Sequence, residues 1–409
     1  MLKTSYGVRY WLDRFPASRV PSYPSQRGKL DVDVAIVGGG ATGCVSAYAF
    51  AAAGIDVALL EAARLAQTET PSGTGIVLHE PETDSQKLVG MHGLRVGRQM
   101  YEGARRGSLE YLAAIRRLRI DCGLQPGDAI HLTPTPGDDS RLRKEYSVRR
   151  EAGVEVAAVT GMQLFRQTGF NGFGIRTRGT ASVDPYRATL GFARAAAARG
   201  AKIFERSPAT RIRILRRGVE IKTRAGVVTA STVVLATGYP TDDYKPLRRR
   251  FTRCQSYAVL TPELPADIRR EIVFQSGILR DTASPDHWMR WVQGNRILFS
   301  GADQPSVPER ARERAIVQRT GQLMYELSLL FPAISGVTPE YGWDAGYARS
   351  ADGVPYFGPH RNYPRHLFAF GGGPGGLGLS FLAARILLRQ HLGKPEKSDE
   401  AFSFTRIRE

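Results

Sequence analysis

The segment DVDVAIVGGGATGCVSAYAFAAAGIDVALLE, residues 31–61, limits what this chain can fold into more than any other stretch. An apolar run, a glycine turn, a small-residue helix and a second apolar run make one βαβ unit. Gly38, Gly40 and Gly43 fall in the G-x-G-x-x-G pattern. The first glycine permits a tight turn, the second lets backbone approach a pyrophosphate, and the third lets helix and strand pack closely. Ala41 and Thr42 open the helix, whose free N–H groups and positive dipole end face the phosphates. Glu61 follows about 20 residues on, at the end of the second strand, where a carboxylate can accept hydrogen bonds from ribose hydroxyls. Its charge disfavours a 2′-phosphate and so NADP. The segment alone leaves NAD and FAD both open.

The remainder of the sequence narrows the class. With 409 residues the chain has room for two or three domains with filled cores. No run is apolar enough to span a bilayer, and the first residues lack the apolar stretch of a secretory signal. Cys44, Cys122 and Cys254 lie far apart without a CxxC pair, which argues against a zinc site or a disulfide framework and suits the cytoplasm. The formal net charge is +18, carried mostly by arginine, since only nine of the 57 basic residues are lysine. Such a charge could steer nucleic acid, a membrane surface or an acidic substrate. The densest cluster, PLRRRFTR at 246–253, has no nucleic-acid-binding module around it, so nucleic acid is not expected as a partner.

Residues 86–119 space their apolar positions at threes and fours, predicting a long helix. Asp184, Pro185 and Gly200 punctuate another as cap, first position and end. Short strands run from 201 to 238, strand-like pieces alternate from 250 to 345 around a helix at about 308–330, and a second glycine-rich strand–turn–helix closes the chain. A nucleotide motif at one end and a glycine-rich turn at the other, with β-rich sequence between, predict an α/β plus β-rich fold. It consists of a discontinuous Rossmann-like FAD-binding domain (28–124, 178–245 and 341–392) with an inserted antiparallel-sheet substrate domain (125–177 and 246–340). Terminal arms cover 1–27 and 393–409.

With these features in place the chain resembles the D-amino-acid oxidase-like family of FAD-dependent oxidoreductases over nearly its whole length. It is most similar to the branch that holds γ-glutamylputrescine, glycine and sarcosine oxidases. The resemblance lies in YWLDRFPASRVPSYPS, LLEAARLAQTETPSGTG, SVDPYRATLGFARAAAARGAKIFERSPATRI, VVTASTVVLATGY, YGWDAGYARSADGVPYFGP and AFGGGPGGLGLSFLAARIL, in that order. It implies FAD, held without a covalent bond. It also implies contacts from Thr70 and Ser72 near the phosphates, from the Ala209 backbone at the adenine, and from Thr237, Gly238 and Gly346. Gly375, Gly376, Leu377 and Gly378 would face the flavin, with their N–H groups and helix dipole holding negative charge.

The implied chemistry is hydride transfer from the carbon of a C–N bond to flavin N5, followed by hydrolysis of the imine. Oxygen is the expected acceptor. Departures from the family are informative. Leu377 stands where many relatives have histidine. The carboxylate-clamping arginine position is Ala348, with Arg349 next to it and Arg290 as a second candidate. Phe299 matches the oxygen-activating lysine of sarcosine oxidase, and no lysine occurs between Lys245 and Lys394. Tyr257, Trp288, Trp291 and Tyr347 are candidates for an aromatic substrate wall, and His79 for approach to the flavin. The unfilled clamp leans the reading toward an amine. The rivals are a dehydrogenase with a quinone or protein acceptor, an RNA-modification factor, and a flavin-binding scaffold without catalysis.

Overall fold

A computed structural model describes residues 4–135, 137, 139–373 and 375–407. The ends of both terminal arms, and Pro374 of the closing glycine motif, lie outside the described residues. Two sheets carry the fold. The first has a parallel heart in the spatial order Lys202–Phe204, Val57–Leu60, Gly28–Val37, Gly226–Gly238, Tyr363–Phe370, with Tyr356–His360 antiparallel at the edge. Numbered along the chain, the five parallel strands run 3-2-1-4-5, which is the Rossmann arrangement. Its topological switch point lies between Gly28–Val37 and Gly226–Gly238, and ligands bind outside the carboxyl ends of such strands. Gly38 and Gly238 sit at those ends.

These strands are apolar on both faces because both are covered. Helices Ala41–Ala52, Pro185–Ala197, Ser85–Arg117 and Leu377–His391 pack together over the sheet. Asp184 caps Pro185–Ala197 as predicted, its carboxylate accepting from the N–H groups of Tyr186 and Arg187 at 2.9 and 3.0 Å. The helix predicted at 86–119 is broken at Gly93, whose φ of 77° and ψ of 162° are not helical.

The second sheet runs Ser5–Tyr6, Tyr341–Ser350, Phe251–Leu260, Arg296–Pro305, Trp288–Val292, Ile278–Asp281, Gln125–Leu132, Phe173–Ser182, Ile76–Val77. It is mixed rather than purely antiparallel, because Ser5–Tyr6 runs parallel to Tyr341–Ser350 and Ile278–Asp281 parallel to Gln125–Leu132. Sheet membership also departs from the expected boundaries. Tyr341–Ser350, expected with the nucleotide domain, pairs along its whole length with Phe251–Leu260. Ile76–Val77 likewise joins this sheet, through Phe173–Ser182. The amino-terminal arm carries regular structure. Ser5–Tyr6 extends the second sheet, and Tyr10 and Trp11, in the short helix Tyr10–Asp13, enter the largest core. Strands that cross between the two cores therefore bring both sheets to one seam. Helix Glu309–Leu330 packs on this sheet through Ile316, Leu323 and Leu327. Among the described residues, no helix is long and apolar enough to cross a membrane.

Candidate active site

A cleft of about 430 Å³ opens at the switch point. Its walls include Gly38, Gly40, Ala41, Thr42, Glu61, Thr70, Ala209, Thr237, Gly238, Gly346, Tyr347, Ala348, Gly376 and Leu377, so the structure gathers most of the residues singled out from sequence into one cavity. Gly38 has φ of +110°, and a Cβ there would lie 2.5 Å from the Ala236 carbonyl oxygen. Gly43 does not line the cleft. A Cβ on it would meet the Gly38 oxygen at 1.8 Å, so it is the residue that lets helix and turn touch. Glu61 braces the turn from below, accepting from Gly39 N–H at 2.7 Å and from Ala63 N–H at 2.8 Å. Thr70 Oγ1 accepts from Ala41 N–H at 3.1 Å. The next two N–H groups of the first turn, at Thr42 and Gly43, have no acceptor among the described residues. A bare-backbone cradle, orphan N–H groups at a helix start and a carboxylate at the following strand end fit a dinucleotide with its pyrophosphate at the helix and a ribose at Glu61. The second helix start, Leu377 with Gly376 as its cap, faces the other end of the cleft.

Besides Gly43, three implied cofactor residues lie outside the cleft wall. Ser72 is buried, with its carbonyl accepting from the Trp343 indole at 2.9 Å. Gly378 packs against helix Ser85–Arg117, where a Cβ would fall 2.0 Å from Ser108 Oγ. Gly375 lines a smaller neighbouring pocket.

That pocket, of about 70 Å³, is lined by Thr74, Ile76, Leu78, Glu82, Ser256, Asp286, Trp288, Ser300, Asp303, Arg349 and Gly375. It adjoins the cleft through three chain segments that line both, 73–75, 345–349 and 375–376. Tyr347 and Arg349 stand at this junction. The Tyr347 hydroxyl donates to Asp303, and Arg349 donates to the Tyr347 oxygen at 2.7 Å and lies 3.5 Å from Asp303.

The other substrate candidates are corrected by their packing. Tyr257 is buried in the core of the second sheet, its hydroxyl accepting from Gln304 at 2.7 Å. Trp291 belongs to the same core and donates to the Phe274 carbonyl at 2.6 Å. Arg290 donates to the carbonyls of Thr74 and Val183 at 2.7 and 3.0 Å, with its guanidinium 5.0 Å over the Trp11 ring. Burial lowers it to about 10, and its donors are spent on the backbone. Arg290→Lys keeps a charge but loses the fork, so it is expected to cost about 1.5–3 kcal/mol in denaturant unfolding, without a change in substrate preference. His79 is buried beside Gly179 and lines neither cavity. Phe299 stacks on His287 at 4.8 Å, while its neighbour Ser300 faces the pocket.

Sequence reasoning missed Glu82, Asp286, Asp303, Ser256 and Ser300. Apart from Ser300 and Asp303, which share strand Arg296–Pro305, each lies in a different turn or strand, and only the packing of distant segments brings them together. It also missed Glu69, a carboxylate on the cleft wall whose desolvation there holds it above the usual carboxylate range. Among the described residues, no group of three or more His, Cys, Asp or Glu could hold a metal ion.

Comparison with known proteins gives a consistent picture. Residues 33–390 match the model of the DAO family, described as FAD dependent oxidoreductase. The gamma-glutamylputrescine oxidoreductase of Escherichia coli (strain K12) is 23% identical over 387 residues, covering 94% of this chain and 89% of that protein. The glycine oxidase of Bacillus licheniformis is 24% identical over 384 residues, covering 91% and 97%. Among solved structures, glycine oxidase from Geobacillus kaustophilus superposes with a TM-score of 0.73 at 21% identity, covering 93% of this chain and 100% of that one. L-proline dehydrogenase from P. horikoshii gives 0.74 at 14% identity, covering 92% and 97%.

Proposed function

Because this chain belongs to the DAO family of FAD dependent oxidoreductases, we propose that it oxidises the C–N bond of a small amine, with oxygen as electron acceptor. When bound, FAD supplies the two-electron acceptor for hydrogen carried by the carbon next to nitrogen. The chain's own residues bind and orient. Thr42 and Gly43 N–H groups at the start of helix Ala41–Ala52 take the diphosphate, and Glu61 takes ribose hydroxyls. The dipole of helix Leu377–His391 favours negative charge at the other end of the cleft. None of the three cysteines lines the cleft, which supports a non-covalent hold.

One observation carries the choice of an amine over an amino acid. Arg349 is the one basic side chain among the described residues lining either cavity, and it is already engaged by Asp303 and the Tyr347 hydroxyl. A carboxylate clamp needs a guanidinium fork free to bind in bidentate fashion. The buried, unpaired cysteines suit the cytoplasm. The reading involves no nucleic acid, since many arginines are paired with carboxylates, among them Arg149, Arg312, Arg389 and Arg406.

A dehydrogenase with a quinone or protein acceptor is the second reading, favoured by the absence of any lysine between Lys245 and Lys394. The two are separated by reducing the FAD-loaded protein with light in the absence of air and then readmitting air. Return of colour within seconds, with formation of peroxide, is the expected result. A return over many minutes assigns the dehydrogenase.

A further inference from the structure

In a chain of net charge +18, the pocket beside the cleft is acidic. Three carboxylates, Glu82, Asp286 and Asp303, and one guanidinium, Arg349, line it. Asp286 is answered by Arg280 at 2.5 Å, and Asp303 by Arg349 and Tyr347. The Glu82 carboxylate has no cation within ion-pair distance among the described residues, and the one hydrogen bond it accepts is from Gly375 N–H, at 3.2 Å. Two further groups have no partner. Ser256 and Ser300 are only 8% and 4% exposed, line the pocket, and have no hydrogen bond to their hydroxyls among the described residues. Ser300 sits directly opposite Trp288 across the strand pair, so both side chains share the face turned to the pocket.

A desolvated carboxylate without a cation is costly unless something supplies positive charge, and hydroxyls that open into the pocket without a partner can accept a ligand's donors. An ammonium carries three N–H donors and one positive charge, and the small volume admits such a head group without a bulky substituent. We propose that this pocket binds the ammonium group of the substrate, with Glu82 and Asp303 supplying the charge, Ser256 and Ser300 accepting its N–H donors, and Trp288 closing one wall. This rests on the reading that the substrate is an amine, and it assigns the residues that select a cation over a carboxylate.

The groups facing Glu82 are Arg349, Asp303, Asp286 and the Gly375 N–H; burial, helped by the like charges of Asp303 and Asp286, outweighs the Gly375 N–H and Arg349 and pushes the Glu82 carboxyl up to about 7. Its charge is present above that value and is lost as pH falls through it. Cation binding is therefore strongest on the alkaline side.

The test is calorimetric titration of the FAD-loaded protein with n-butylamine and with butanoate, near about pH 8 and about pH 6. It is run on the wild type, Glu82→Gln and Asp303→Asn. Both replacements keep an oxygen for Gly375 or Tyr347 and remove only the charge. The expected result is binding of n-butylammonium but not butanoate, weakened roughly tenfold by either substitution. The wild type weakens toward the lower pH, and Glu82→Gln does not. Butanoate binding as tightly as n-butylammonium, or wild-type affinity for n-butylammonium in both variants, overturns the assignment. If binding depends on the carboxylates but no amine is oxidised, the pocket stands and the oxidation reading fails. If both variants oxidise amines with wild-type KM, the oxidation reading stands and the pocket fails.

Discussion

Gly43→Val is expected to yield protein that retains almost no FAD through purification. A Cβ at this position would lie 1.8 Å from the Gly38 carbonyl oxygen, and the obstacle is backbone, which no rotamer change relieves. Either helix Ala41–Ala52 lifts off the turn or Gly38 leaves its φ of +110°. Both displace the first turn of the helix, and with it the Thr42 N–H, from the cleft wall. Overpacking with side-chain relief costs about 1–3 kcal/mol. A backbone collision costs at least that, so FAD affinity should fall by a hundredfold or more, on the order of 3 kcal/mol. The check is the ratio of flavin to protein by absorption, together with a thermal melt. A folded variant that holds FAD like the wild type would remove this turn from the account.

Arg149→Met is the second large effect. Arg149 is fully buried between Glu145, at 2.7 Å, and Glu80. Glu145 in turn accepts from the N–H groups of Ser85 and Gln86 at 2.8 and 3.0 Å, which ties helix Ser140–Glu151 to the start of Ser85–Arg117. Removing the guanidinium leaves two carboxylates uncompensated in the interior, a loss of about 3–5 kcal/mol. The deficit is measured by denaturant unfolding. Adding Glu80→Gln should restore part of the stability. Because Glu80 and Glu82 share one turn, the single variant should also weaken amine binding, although Arg149 lines neither cavity.

The cofactor half of the site was legible in the sequence because its signals are local. Gly38, Gly40, Gly43 and Glu61 fall within one βαβ unit, where turn, helix start and strand end follow from a short pattern. Asp184 is similar, since cap and first turn are adjacent in the chain. The proposed substrate pocket was not legible for the opposite reason. Glu82, Ser256, Ser300 and Asp303 carry no periodic signature, and register between distant strands decides which face they share. Tyr257 and Trp291 show the same limit from the other side. An aromatic side chain in a strand reads alike whether it lines a pocket or fills a core, and here both fill the core. The sheet membership of Tyr341–Ser350 was not legible either, because this strand follows a helix and precedes the closing glycine motif, yet pairs with Phe251–Leu260.

The most direct test of the central claim is to mix the FAD-loaded protein, without air, with n-butylamine, N-methylbutylamine and butanediamine, and with amino acids of matching length, while following visible flavin absorption. The account predicts that at least one amine discharges the colour and that the matching amino acids do so far more slowly. Loss of colour with amino acids but with none of the amines would contradict it.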